Sequence, residues 1–487
     1  MFLSKRILIM KNIKLLILGS LISTGSIFSS CEKQIFEDPY AQLSPQIAFS
    51  TPDRIDKTAT GMYDALQNRD FLGGRALIYA DIRGIDCGVP TFFGNMSSFN
   101  TLLSTDITVR DAFVGAYRTI NEANLFIRNI GVYTGVATPE NEAKYIAEAK
   151  FIRALTYFYL VNFWAQPYQF TADASHLGVP LVLTATDLPF DPSHRVPRNT
   201  VKQVYDQIIL DLNEALPNLP LASATRNFAS VGRATKGGVY ALLSRIYLYQ
   251  GNYQEALKYA NELEGLNLYS LNAAPKSTFE TSTTKESIFS VAHNGGDNPN
   301  TNHALAQHYS PKNRADIQVS SGFVNLMTAT DKRRTDLITT VVTPGNNGAP
   351  AVTTYWNGKY TTIADWVPVI RYAEVVLNKA EALANLEAGT AVNAEALTLV
   401  NNIRHRSDAS TNITATTKQQ LIDAILLEKR IELAFEGHAL FEYLRTKRDI
   451  PAHGTVLLQP WGSSYVVFPF PFAEVQQNPN LVQNKDY

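Results

Sequence analysis

Cysteine is almost missing from this chain: Cys31 and Cys87 are the only two in 487 residues. Cys31 closes an N-terminal leader, so the body keeps a single thiol and can hold no intrachain disulfide. Metal sites built from two or four cysteines are excluded with it. Excess charge is missing too. Forty-three basic residues stand against 44 acidic ones, which argues against a nucleic-acid binder, whose footprint is a basic excess. Beyond the leader, no apolar run approaches the ~20 residues that cross a bilayer. Histidine is sparse, at eight, and scattered. His303 and His308 lie five apart in a loop, and His405 and His438 fall on separate predicted helices, so no metal site is expected. There is no glycine-rich phosphate loop, no His-Glu-x-x-His and no Gly-x-Ser-x-Gly. Neither a cofactor nor a catalytic set is expected.

The leader itself is organised. Lys5, Arg6, Lys11 and Lys14 open it, an apolar run follows from Leu15 to Phe28, and small Ser29 and Ser30 precede the cysteine. Basic, apolar, then small is the order of a cleaved secretory signal. The segment Phe28-Ser-Ser-Cys31 resembles a bacterial lipobox, with Phe28 where Leu is more usual. That resemblance implies removal of residues 1–30 and lipidation of Cys31; the plain alternative is an ordinary secretory signal with an incidental cysteine. Met10 begins a more compact signal of the same kind. Residues 31–50 are polar, with Pro39 and Pro45, and read as a flexible tether.

The body is helical in texture. In residues 141–163, Phe151, Ala154, Leu155, Phe158 and Asn162 fall at helical spacing, and Pro167 ends the run. Residues 201–216 carry a Val201, Val204, Ile208, Leu212 and Ala215 stripe, with Thr200 as N-cap. Residues 235–264 read as a helical hairpin turning at Gly251-Asn252, and residues 368–405 as a second, with Ala380, Ala384, Ala396 and Val400 at close-packing positions. Residues 418–445 read as one long helix or a broken pair. Small Ala at helix contacts and a Gly at the turn resemble the tetratricopeptide unit, best in Tyr247-Leu-Tyr-Gln-Gly-Asn-Tyr-Gln-Glu-Ala256. The expected fold is all-α: tetratricopeptide-like helix pairs in an α-α superhelical scaffold, with long irregular loops and minor β.

Two regions interrupt that texture, 70–110 and 265–367. Long loops on a rigid scaffold are a common ligand-binding arrangement. Aromatics are plentiful, with 24 Phe, 23 Tyr and 4 Trp. A sugar ring offers apolar C–H faces and a hydroxyl rim, so its site needs flat aromatic platforms beside Asn, Asp and Arg. Candidate ligand contacts are therefore Tyr79, Asp81, Arg83, Asp86, Phe92, Phe93 and Asn95 in one stretch, Asn298, Tyr309 and Arg314 in a second, and Tyr355, Trp356 and Trp366 in a third. Taken singly, each of these residues has a structural reading as well. Glu428 and Glu432, i and i+4 on a predicted helix with Lys429 and Arg430 nearby, read as an ion-pair cluster between helices rather than a glycosidase acid and base.

Several segments in order resemble the SusD/RagB family of Bacteroidota nutrient-binding lipoproteins. They are Ala147-Glu-Ala-Lys-Phe-Ile-Arg-Ala-Leu-Thr-Tyr-Phe-Tyr-Leu160, Thr235–Arg245 with Tyr249–Tyr253, Ile370–Glu374 with Ala380-Glu-Ala382, Val400–Arg404, Glu428–His438, and Asn478–Asn484 with Tyr487. Ala439-Leu-Phe-Glu-Tyr443 follows the family pattern only in part. The resemblance implies one SusD-like fold over 51–487, with regions of about 51–230 and 265–487. It implies a lipid-anchored protein on the outer-membrane surface, without enzymatic activity, that binds an oligosaccharide and delivers it to a SusC-like TonB-dependent barrel. A peptide-binding uptake lipoprotein and, more remotely, a surface glycoside hydrolase are the alternatives. The loops align with no member of known specificity, so the candidate contacts rest on residue chemistry and loop position alone.

Overall fold

The computed structural model describes residues 44–88, 92–186, 188 and 191–487. The leader, Cys31 and most of the tether lie outside them. Among the described residues nine helices run for thirteen residues or more, and the named strands form two sheets of two strands each. The fold is all-α with minor β. No helix of the described residues is long and apolar enough to cross a membrane.

The first four long helices are α1 (Pro52–Leu66), α2 (Ile107–Val132), α3 (Pro139–Trp164) and α4 (Val201–Ala215). Helix α3 starts where the Thr138 side chain accepts from the Asn141 amide and Pro139 fills the first turn, a position that needs no N–H donor. From Tyr145 onward nearly all of it is buried, because α1, α2 and α4 all pack on it. A helix apolar on every side is a core helix. Its buried Arg153 pairs with Asp211 of α4 through Nε at 2.8 Å and Nη2 at 2.6 Å. Helix α4 opens on the expected Thr200, in a capping box with Gln203.

The hairpin of α5 (Lys236–Gln250) and α6 (Tyr253–Gly265) turns at Gly251, whose φ of 74° suits glycine, with Asn252 capping α6. Helices α7 (Tyr372–Leu386), α8 (Ala394–Ser407) and α9 (Lys418–Glu432) pack on one another. Helix α6 also packs directly on α7, although residues 266–371 separate them in sequence. The loop-rich stretch is therefore an excursion from a continuous helical stack. Its root is closed by antiparallel strands β1 (Ser287–Val291) and β4 (Val367–Arg371), both fully buried. Strands β2 (Ile338–Thr343) and β3 (Val352–Asn357) form a hairpin within it.

Two expectations are revised here and one alternative is settled. Residues 368–371 are strand, not helix: Val367-Pro-Val-Ile-Arg371 is a short buried apolar run, which helical periodicity alone cannot separate from a helix start. The 418–445 stretch is a broken pair, α9 and a short helix Ala439–Arg445. The stretch 70–110 holds the helix Arg75–Asp81 and the first turn of α2.

The Glu428 and Glu432 reading holds in kind, with other partners. Five cations and five carboxylates form one connected buried network: Arg333, Lys359, Arg371, Arg404 and Arg406 with Glu286, Asp331, Glu428, Glu432 and Glu436. Arg430 instead pairs with Asp86, and Lys429 with Glu381 and Glu442. Arg371 ends β4 and Glu286 precedes β1, so the network clamps the root of the excursion to α8 and α9.

Candidate functional site

The thirteen candidate contacts separate by burial. Tyr79, Asp81, Arg83, Asp86, Phe93, Tyr309 and Trp356 are buried. Tyr79 meets Phe93, Phe163 and Phe468 edge-on. Arg83 donates to the carbonyls of Met96 and Tyr465 and stacks on Phe99. Asp86 accepts from Arg430. Trp356 donates from Nε1 to Thr354 at 3.1 Å within β3, beside Tyr355, whose carbonyl takes the Val319 amide. These side chains have the chemistry of a sugar site but use it to hold the core together.

Asp81 shows how. Its carboxylate accepts from the Gly437 amide at 3.0 Å and the Tyr309 hydroxyl at 3.1 Å. Gly437 has a φ of 82°, and a Cβ there would lie 3.0 Å from the Leu77 Cα, so this break between α9 and the helix Ala439–Arg445 requires glycine. Burial pushes the Asp81 carboxyl up to about 8, against the pull of those donors. A folded pKa raised above the unfolded 3.8 gives stability that is full below that value and lost as pH rises through about 8. Asp81→Asn is expected to remove this alkaline slope, measured by urea unfolding between about pH 6 and pH 9.

The exposed candidates fall at two neighbouring places. Phe92 is 47% exposed. Its ring meets Phe93 at 4.7 Å, stacks on the His308 imidazole at 5.6 Å and carries the Arg314 guanidinium at 4.4 Å. Behind it, Arg75 and His303 both meet Asp70, at 3.3 and 3.2 Å. Asn302 takes donors from Arg75, His308 and Arg314. His308 also pairs with Asp316 at 2.7 Å, and burial nonetheless lowers its pKa. His303, and His308 on the short helix Leu305–Tyr309 rather than in a loop, are thus committed to carboxylates. Asn95 is exposed on the adjoining short helix Gly94–Ser97.

Trp366 sits at the second place, a cleft of about 350 Å³. Its indole Nε1 donates to the His293 carbonyl at 2.9 Å, which fixes the ring. Phe228, 48% exposed, meets it edge-on at 6.0 Å. Asp64 of α1 and Asp297 of the excursion also line the cleft. The Asn294 Oδ1 accepts from the amides of Gly296 and Asp297, and Asn298 donates to the carbonyls of Asn294 and Gly295, so the 294–298 turn is held by its own side chains. His293 donates from Nε2 to the Gly73 carbonyl at 2.9 Å, joining the cleft to the loop beneath Phe92. Burial lowers the His293 pKa, so that ring is neutral at pH 7.

Sequence reasoning reached Trp366, Phe92 and Arg314 and missed Asp64, Gln67, Phe228 and Asp297. Asp64 belongs to the outer side of an amphipathic helix, Gln67 caps that helix's C-terminus, and Phe228 belongs to a one-turn helix outside both loop regions. Their signal is spatial only.

Two family models match the chain: the SusD family over residues 288–487, and a family described as starch-binding and associating with the outer membrane over residues 37–248. The chain belongs to the SusD/RagB family. Two SusD-like proteins of Formosa agariphila are 25% and 26% identical to it; the alignments cover 98% and 92% of this chain and 99% and 95% of theirs. A SusD superfamily crystal structure from Bacteroides fragilis superposes with a TM-score of 0.77 at 29% identity, over 89% of this chain and 99% of that one. Surface glycan-binding protein A from Bacteroides thetaiotaomicron, at 21% identity, shares the fold, with a TM-score of 0.72 over 90% of this chain and 99% of that one. Within the family frame, the sequence signatures are scaffold. Arg153, Arg245, Glu374, Glu428 and Glu432 are all in buried ion pairs. Near the C-terminus, Asn484 donates to the carbonyls of Trp164 and Phe468.

Proposed function

We propose that this chain is a surface glycan-binding lipoprotein: it captures an oligosaccharide at the Trp366 cleft and passes it, unhydrolysed, to a SusC-like TonB-dependent barrel. The observation that carries this reading is Trp366, locked by the His293 carbonyl beside exposed Phe228, over a cleft edged by Asp64 and Asp297. A flat apolar ring with hydrogen-bonding groups around it complements the two faces of a pyranose. The starch-binding description of the matched family and the glycan-binding name of a structural neighbour support the same reading. Lipid on Cys31 would hold the protein at the outer-membrane surface, since several acyl chains anchor stably where one does not.

The test is titration of the soluble body against a broad oligosaccharide panel, with chromatography of each ligand afterwards. Saturable binding with every ligand recovered intact is expected. Released products, or no binding across the panel, would contradict the reading.

A further inference from the structure

The polar groups of the Trp366 cleft have a common orientation. Its donors are turned inward. Gln67 donates to the Ala292 carbonyl, Thr60 to the Asp56 carbonyl, Trp366 to the His293 carbonyl and His293 to the Gly73 carbonyl. Its acceptors are left open: among the described residues, the Asp64 and Asp297 carboxylates have neither a hydrogen-bond nor an ion-pair partner. No Lys or Arg of the described residues lines the cleft. The exposed Asn294 amide and the Ser290 hydroxyl are the exceptions among the donors.

An acceptor-rich, cation-free wall fits a ligand that donates. Sugar hydroxyls donate, and a vicinal pair can bridge the two oxygens of one carboxylate. A uronate or sulfate would meet two like charges with nothing to neutralise it. We propose that the cleft selects by charge: it admits a neutral sugar residue with free hydroxyls beside Trp366 and rejects uronate and sulfated residues. The proposal rests on the glycan reading above and narrows it to a substrate class.

It is tested with matched pairs, each acidic oligosaccharide against its carboxyl-reduced or desulfated counterpart, titrated at low and high salt. The neutral member is expected to bind at least about tenfold more tightly, with the gap narrowing as salt screens the carboxylates. Asp64→Asn combined with Asp297→Asn should narrow it in the same way. An acidic member binding as tightly as its neutral partner, with that binding lost in Trp366→Ala, would overturn the proposal. A second arm needs no glycan. Trp366 fluorescence, isolated by subtracting a Trp366→Phe variant, should have a caesium-to-iodide quenching ratio above that of free N-acetyltryptophanamide, and the double Asn variant should bring the ratio back toward it. A ratio equal to or below that of the free compound would also overturn the proposal. If no panel member binds while the ion asymmetry holds, the glycan reading has failed and the charged cleft has not.

Discussion

Replacing Trp366 with Ala is expected to weaken oligosaccharide binding by roughly thirty- to a hundredfold, about 2–3 kcal/mol. A ring already fixed by a hydrogen bond to the His293 carbonyl gives its contact area without an ordering cost on binding. Removing it also leaves Phe228 without its edge-on partner. Trp366 is only half-buried, so the thermal midpoint should change little, and a lost affinity would reflect the site rather than the fold. Trp356→Phe is the control. That ring is buried within the β2–β3 hairpin and should leave affinity unchanged. Calorimetric titration of both variants beside the wild type measures the contrast.

The largest stability effect is expected at Arg371. Its guanidinium reaches Glu286 at 2.6 Å, Glu432 at 2.7 Å and Glu436 at 2.6 Å, and also donates to the Glu432 carbonyl. Arg371→Met would leave three buried carboxylates short of one cation. Breaking a buried pair from one side costs about 3–5 kcal/mol, and here three pairs share the loss. The pH dependence should separate this from ordinary packing damage. Burial alone would raise the Glu432 carboxyl, but Arg406, Arg371 and Arg333 hold it well below the usual range. In the wild type that stability is present above the unfolded value of 4.5 and lost as pH falls through the lower folded one. Without Arg371 the pull on Glu432 and Glu436 weakens and burial pushes both carboxyls up, so as pH falls from about 7 to about 5 Arg371→Met should gain more stability than the wild type does. Guanidinium unfolding at several pH values reads both. A variant that parallels the wild type would refute the electrostatic account.

This network matters to the site because of where it lies. Trp366 is five residues before Arg371, and His293 and Asn294 directly follow β1. The cleft is thus built on the two strands that the buried charges fasten to α8 and α9. Asp64 comes from α1, in the other half of the chain. The cleft assembles from both regions that the family models match.

The scaffold was legible where local chemistry dictates it. Thr200 and Gly251-Asn252 are caps and turns whose roles follow from their residue types, and the α3 run is too apolar to lie anywhere but the core. Helix α2 was harder to see. Its buried stripe, Val109, Ala112, Phe113, Ala116, Ile120, Ala123, Phe126 and Ile130, is regular, but Arg110, Arg118, Asn121 and Arg128 dilute it. The site was less legible for a physical reason. A buried network such as Tyr309–Asp81–Gly437 uses the same aromatic and carboxylate groups as a sugar site, so residue type cannot separate them. Burial separates them, and burial here depends on contacts more than two hundred residues apart, such as Tyr309 with Asp81. Phe228 and Asp64 join Trp366 only through the α6-to-α7 packing and strand pairing that fold the excursion back on the stack.

The most direct measurement is a crystal structure of the body with the tightest-binding oligosaccharide of the panel. A pyranose ring stacked on Trp366, with hydroxyls on Asp64 or Asp297 and the glycosidic bonds intact, is the predicted result. A ligand seated elsewhere with the Trp366 cleft empty would contradict the account.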